Sequence, residues 1–227
     1  MSRVLKDVLK VGTGACGLGL LGFAAPCRRP FSQHTAMAEA EAGGGGGAGR
    51  AMPKMFVFDL DGCVWDPEMY QLWGGGSPFS QREDGDLTDS RGQRVVLMAD
   101  VREIMRALHS DERFEGASVA VASCCDEPAW ARECMSKFIV APNVTLQQVV
   151  SLSEIHKGSK ADHLRNIARD SGVALRDMVF FDNEKHNCNT VQGVGVTSVH
   201  TPRGVTMAEF EHALARFPSD EVLRVGR

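Results

Sequence analysis

Two aspartates separated by a single residue close an apolar run, Met55-Phe56-Val57-Phe58-Asp59-Leu60-Asp61-Gly62. A short continuous apolar run reads as a buried strand of a parallel sheet, and in open α/β sheets ligands collect just beyond the carboxyl ends of such strands. Asp59 and Asp61 leave the strand at that place, and the chain turns at Gly62. A pair of hard carboxylate oxygens suits Mg²⁺, which keeps several waters and shares its coordination with phosphate oxygens. The chemistry indicated is metal-assisted phosphoryl transfer. About one Asp-x-Asp arises by chance in a chain of this length, so a solvated turn is the competing account until other residues join the pair.

Three further polar groups fall at corresponding places. Ser123 ends the run Ala117-Ser118-Val119-Ala120-Val121-Ala122, Asp182 and Asn183 end Met178-Val179-Phe180-Phe181, and Lys160 opens the helical pattern that precedes that last run. Each alone has an ordinary explanation: a helix cap for Ser123, a solvated helix residue for Lys160, a turn for Asp182-Asn183. Four elements delivering such groups to one sheet edge make those explanations a coincidence.

The elements that must position them follow from hydrophobic periodicity. Residues 99–110 carry Val101, Ile104, Met105 and Leu108 at helical spacing, and residues 127–138, 159–171 and 206–217 also read as helices. Strands are expected at 148–152 and 194–200 besides the three runs above. Residues 66–98 are broken by Gly74-Gly75-Gly76, Pro78 and Gly85, and read as a loop or small β-flap rather than a helical cap. The βαβ rhythm predicts an α/β fold: a Rossmann-like parallel sheet with helices on both faces and a small β-flap instead of a large cap. Trp65, Tyr70 and Trp73 either line the mouth of the site or pack under the flap.

The chain has 227 residues, 43% of them hydrophobic, enough for one sizeable core. Its net charge of −4, with a pI near 6.0, argues against a dedicated nucleic-acid binder. Seven cysteines contain no C-x-x-C pair, which speaks against a zinc knuckle or a thioredoxin-type centre, and their odd number fits a reducing compartment. Residues 1–34 hold Arg3, Lys6, Lys10, Arg28 and Arg29 against the single acid Asp7, around an apolar stretch far shorter than the ~20 residues that span a bilayer. This outline predicts an organelle presequence, mitochondrial or plastid, without stable membrane insertion; a cytoplasmic protein with an uncleaved tail is the alternative. With the glycine-rich linker at 43–47, the expected division is a targeting segment with linker over 1–52, a catalytic domain over 53–217 and a tail over 218–227.

The ordered set Phe-Asp-Leu-Asp-Gly, Val-Ala-Ser, Gly-Ser-Lys and Phe-Phe-Asp-Asn resembles the four motifs of the haloacid dehalogenase-like (HAD) superfamily of aspartyl phosphatases. Within it the chain is similar to the magnesium-dependent phosphatase family, once described as acid phosphatases. That likeness rests on Phe58-Asp59-Leu60-Asp61-x-x-x-Trp65, Asp89-x-Arg91-Gly92-Gln93, Lys157-Gly158-Ser159-Lys160, Met178-Val179-Phe180-Phe181-Asp182 and Gly195-Val196-Thr197. The resemblance implies Asp59 as nucleophile, Asp61 as general acid and base, and Lys160 as the cation that orients Asp59. It implies Mg²⁺ held by Asp59, Asp182, the backbone carbonyl of Asp61 and Asn183, with Ser123 and Cys124 on the substrate phosphate. The reaction implied is hydrolysis of phosphomonoesters through an aspartyl-phosphate. The substrate would be a small phosphate ester or a phosphoprotein: a phosphotyrosine-like ester, as for a protein tyrosine phosphatase, or a sugar phosphate, including phosphorylated glycation adducts.

Three positions depart from the pattern. Gly62-Cys63 stands where relatives commonly have Tyr-Thr, Cys124-Cys125 where they have Arg-Thr, and Asn183 where they have a second aspartate. Asn183 keeps an oxygen ligand but removes a negative charge, which weakens Mg²⁺ binding without abolishing it. Two alternatives to this function remain: a protein serine/threonine phosphatase of the same fold, whose usual Asp-Glu-Thr after the first aspartate pair is missing here, and a non-catalytic phosphate-binding or interaction module. His156, His163, His186 and His200 receive no role.

Overall fold

The computed structural model describes residues 51–225, so the presequence and glycine linker expected over 1–52 lie almost wholly outside the described residues. In chain order, β1 (Met55–Phe58) is followed by four short strands, β2 (Trp65–Asp66), β3 (Ser80–Gln81), β4 (Leu87–Thr88) and β5 (Arg94–Leu97). Then come α1 (Val101–Ser110), β6 (Ser118–Ser123), α2 (Pro128–Lys137), β7 (Ile139–Ala141), β8 (Val144–Thr145), α3 (Leu146–Val149) and β9 (Val150–Ile155). The domain closes with α4 (Lys160–Ser171), β10 (Met178–Asp182), α5 (Lys185–Gln192), β11 (Thr197–His200) and α6 (Met207–Arg216).

Five strands form the central sheet in the order β11-β10-β1-β6-β9, and every pairing is parallel. The chain starts in the middle, runs outward to β6 and β9, then crosses to β10 and β11 on the other side. That reversal beside β1 makes the switch point at which open α/β sheets bind ligands. Period-two alternation along β1 divides the core. Phe56 and Phe58 face one layer with residues of α1, α2 and α6, whereas Met55 and Val57 face the other with Leu164 and Ile167 of α4 and Val191 of α5. On the first face the rings of Phe56, Phe181 and Phe210 are layered, with Phe56–Phe210 centroids 5.5 Å apart and Phe181–Phe210 5.9 Å apart. The expected sheet with helices on both faces is present.

The stretch between β1 and α1 is a flap of four short antiparallel strands, β2-β5-β4-β3, and no helical cap. Asp89 ties it together: its carboxylate accepts from the backbone amides of Gly76 (3.0 Å), Arg91 (2.9 Å) and Gln93 (2.7 Å) while almost fully buried. Burial alone would raise this carboxyl's pKa, but the amide donors outweigh it and hold it below the ordinary aspartate value.

Several boundaries differ from the sequence expectation. The strand expected at 148–152 begins later, because Thr145 and Gln148 form a capping box that folds 146–149 into one helical turn, Thr145 N donating to Gln148 Oε1 at 2.7 Å. The strand expected at 194–200 shortens to Thr197–His200, since Gly195 turns the chain at φ +88°. Helix α5 was not visible in the periodicity, for it buries only Cys188 and Val191. Residues 218–225 are more than a tail: Leu223 is buried and bridges to Val199, its N–H donating to Ser198 O at 2.8 Å and its carbonyl accepting from His200 N at 3.0 Å. Among the described residues no helix is long and apolar enough to cross a membrane.

Replacing Asp89 by Asn sets two amide hydrogens against N–H donors. Asp89→Asn is expected to destabilise the domain by about 1–3 kcal/mol at neutral pH in urea denaturation. Because the folded-state pKa is depressed, the carboxylate's contribution is complete above the unfolded value of about 3.9 and is lost as pH falls through the folded value. The difference between the two proteins must therefore shrink when the measurement is repeated below about pH 4.

Candidate active site

Asp59 follows β1 directly, its N–H donating to Phe181 O at 2.9 Å, so the neighbouring strand β10 fixes where the carboxylate emerges. Lys160 enters from the first turn of α4, which Ser159 caps by accepting from Ala161 N at 3.2 Å. The lysine is 3% exposed and has three acceptors around its ammonium: Asp59 Oδ1 at 2.5 Å, Ala122 O at 2.6 Å and Asp182 Oδ2 at 3.4 Å. Burial pulls the ammonium's pKa down, but Asp59 and Asp182 outweigh it and leave it raised. Two of its donors are bonded to fixed oxygens, Asp59 Oδ1 and Ala122 O, and the ion pair with Asp182 adds a third anchor, so the place of Lys160 does not depend on substrate.

Asp182 ends β10, fully buried. Its Oδ1 accepts from Glu184 N at 2.7 Å and its Oδ2 from Asn187 Nδ2 at 3.0 Å. Burial and the neighbouring Asp59 push its pKa upward, with Lys160 opposing. Asp61 accepts from Trp65 Nε1 at 2.7 Å, and burial raises its pKa, helped by the nearby Asp59 and opposed by bonds from Trp65, Cys125 and the Met69 backbone. Ser123, 1% exposed at the end of β6, accepts from Cys125 N at 3.3 Å, which leaves its hydroxyl proton for another partner.

These groups share one cavity. Asp59, Asp61, Ser123, Cys124, Lys160 and Asn183 all line it. Asp182, fully buried and paired with Lys160, is not part of the wall. The sequence-predicted residues therefore converge, and the structure adds neighbours that periodicity did not single out. Asn187, one turn into α5, orients Asp182; its position five residues after the aspartate was the available signal. Trp65 is wholly buried, stacked 6.0 Å from Phe138, and works from beneath as a donor to Asp61. Tyr70 lines the cavity with half its surface exposed, whereas the 82% exposed Trp73 lies outside it.

The departures from the family pattern now have places. Cys63 points away from the cavity into the core, its Sγ 3.5 Å from Phe181 O and 3.6 Å from Thr201 Oγ1. Cys124 Sγ donates to Gly158 O at 3.2 Å, tying the end of β6 to the loop before Lys160. Burial and the nearby Asp61 push the Cys125 thiol far up, so it is not a thiolate.

Asn183 bears on metal binding. Its Oδ1 is buried without a hydrogen-bond partner, and such an atom costs about 1–3 kcal/mol unless something coordinates it. Gly62, at φ +74°, leaves room for it: a Cβ there would fall 2.6 Å from Asn183 Nδ2. Among the described residues no group of three His, Cys, Asp or Glu side chains is arranged to hold a metal ion by itself. The donors that the resemblance implies, the Asp59 and Asp182 carboxylates, the Asn183 amide oxygen and the Asp61 backbone carbonyl, are hard oxygens, and such a set fits Mg²⁺ rather than zinc.

Comparison with known proteins gives concordant matches. Residues 51–220 match the family model described as Acid Phosphatase. The chain is 31% identical over 169 residues to Magnesium-dependent phosphatase 1 of Homo sapiens, covering 73% of this chain and 88% of that protein. It is 32% identical over 153 residues to an HAD-like hydrolase superfamily protein of Schizosaccharomyces pombe, covering 64% of this chain and 83% of that one. Among solved structures, the N-terminal part of a Bacteroides fragilis protein containing a phosphatase domain, complexed with Mg, aligns with a TM-score of 0.52 at 18% identity. That alignment covers 75% of this chain and 42% of the other, and it shows the shared fold.

Lys160→Met removes the cation from between two buried carboxylates. In metal-free buffer the variant is expected to lose about 3–5 kcal/mol in denaturant unfolding at neutral pH. Without the lysine the pKa of Asp182, already raised, climbs further. An acid whose folded pKa is raised favours the fold when protonated, so the deficit must shrink as pH falls towards 5.

Proposed function

The chain belongs to the acid phosphatase family of the HAD-like superfamily, and from that premise we propose that it is a Mg²⁺-dependent phosphatase hydrolysing phosphomonoesters through an aspartyl-phosphate on Asp59. The observation that supports this most is the unlike state of two aspartates two residues apart: Asp59 is bonded to a buried lysine, while burial favours the protonated form of Asp61. Two carboxylates in such unlike surroundings can divide the work of nucleophile and acid.

An Asp59 oxygen attacks phosphorus while the ester P–O bond breaks, and Asp61 gives its proton to the departing alcohol oxygen. Asp61, now a carboxylate, takes a proton from water as that water's oxygen attacks phosphorus. The bond to Asp59 breaks, inorganic phosphate leaves and both aspartates return to their starting forms. Lys160 keeps Asp59 aimed and offsets part of the crowded negative charge, and the Ser123 hydroxyl donates to a phosphoryl oxygen. Asp59, Asp182, Asn183 and the Asp61 carbonyl would hold Mg²⁺, which when bound neutralises charge on the phosphoryl group. Cys124 borders the phosphate position where an arginine is common. The low flap leaves the mouth open to a phosphotyrosine-like ester as well as a sugar phosphate. We assign residues 1–34, with five basic residues against the single acid Asp7, to organelle import.

The purified full chain is expected to hydrolyse p-nitrophenyl phosphate with Mg²⁺ and to stop with a chelator, and Asp59→Asn should abolish turnover while remaining folded. Equal, near-zero rates for both folded proteins would favour the phosphate-binding module instead. Asn183→Asp restores a charge at the proposed metal position and should lower the Mg²⁺ concentration for half-maximal rate several-fold. An unchanged or higher requirement would remove Asn183 from the metal shell.

A further inference from the structure

The cavity wall beyond the reacting aspartates is acidic, formed by Glu68, Asp126 and Glu184 with Tyr70, and it contains no arginine. Two of these acids have company: Asp126 is paired with Lys157, and Glu184 stands 3.5 Å from His186 Nδ1. Glu68 does not. It begins the helical turn Met69–Gln71 through its backbone carbonyl, which accepts from Gln71 N, while its side chain makes no cap bond. No hydrogen bond or ion pair to its carboxylate occurs among the described residues. Burial, then Asp61, Asp59, Glu184 and Asp66, all disfavour its charged form.

A half-buried, unpaired carboxylate in a cavity that must admit a phosphate dianion opposes its own ligand, unless the ligand also carries the missing cation. Its place identifies which part of the ligand. Glu68 lines the same cavity as Asp61, the residue proposed to protonate the departing oxygen, and Tyr70, two positions on and half exposed, lines it too. The dianion is served by Lys160, the Ser123 hydroxyl and the Mg²⁺ that the oxygens would hold, so the further cation belongs to the alcohol portion. A ring face and a carboxylate together form a receptor for an ammonium group.

Resting on the phosphatase reading, we propose that Glu68, with the ring of Tyr70, selects phosphomonoesters whose leaving group carries an ammonium a few atoms from the ester oxygen. The test compares 4-(2-aminoethyl)phenyl phosphate with 4-ethylphenyl phosphate, which differ only in that group, using the full chain at saturating Mg²⁺. The expected kcat/KM favours the ammonium ester roughly tenfold, the range of a charge-assisted hydrogen bond at a partly exposed site, and the preference falls with added NaCl. Glu68→Gln should bring the ratio near one and Glu68→Lys below one. A wild-type ratio near one overturns the proposal, and that measurement needs no variant to fold. So does a ratio that Glu68→Gln leaves intact, or a Glu68→Gln loss equal for both esters with a raised Mg²⁺ requirement, which would place Glu68 around the metal. Hydrolysis of neither ester would instead strike the phosphatase reading itself, and this inference with it.

Discussion

The site is organised around a buried ammonium that three oxygens from three strands surround. Lys160 draws Asp59 beyond β1, Ala122 in β6 and Asp182 in β10 onto one point. Without that cation two carboxylates on adjacent parallel strands would face each other in a dry interior, at a cost well above the net stability margin that a single interaction normally commands. The lysine is therefore a structural residue and a proposed catalytic one at once. The helix that carries it must begin where it does, and Ser159 as cap, with the loop held by Cys124 at Gly158, secures that start.

Around this centre the fold separates rigid from open parts. The sheet supplies fixed oxygens, α4 the cation and α5 the amide of Asn187 that fixes Asp182. The flap contributes little cover. Its own order rests on one carboxylate collecting three backbone amides, so it stays a small, self-contained sheet while the cavity remains accessible. Openness suits an enzyme whose specificity comes from a few groups at the rim, such as Glu68 and Tyr70, rather than from enclosure.

Much of this was legible in the chain because the sheet is parallel and doubly covered. Strands β1, β6 and β10 appear as uninterrupted apolar runs whose ends mark the sheet edge, so Asp59, Ser123 and Asp182 could be located by where the runs stop. Lys160 was legible as the residue that opens the helical pattern ahead of β10. Other features left no such trace. Helix α5 buries two side chains, too few for a periodic signal, and β9 is an edge strand whose start is set by the Thr145–Gln148 capping box rather than by hydrophobicity. Which way Cys63 turns, and that Glu68 lacks a partner while Asp126 has one, depend on residues far away in sequence. Local pattern carries no information about such tertiary pairings.

The central position of β1 also has a consequence for synthesis. Its partners arrive late: the pairing with β10 places Lys54 beside Asp177, 123 positions along the chain. At the usual 5–20 residues per second, roughly 6 to 25 seconds pass between the two leaving the ribosome. During that interval Met55-Phe56-Val57-Phe58 has no β10 and, for much of it, no β6. Among the described strands, the one that leads to the proposed nucleophile is the first made and among the last completed, so a nascent chain stalled before β10 would present that wholly apolar strand to chaperones.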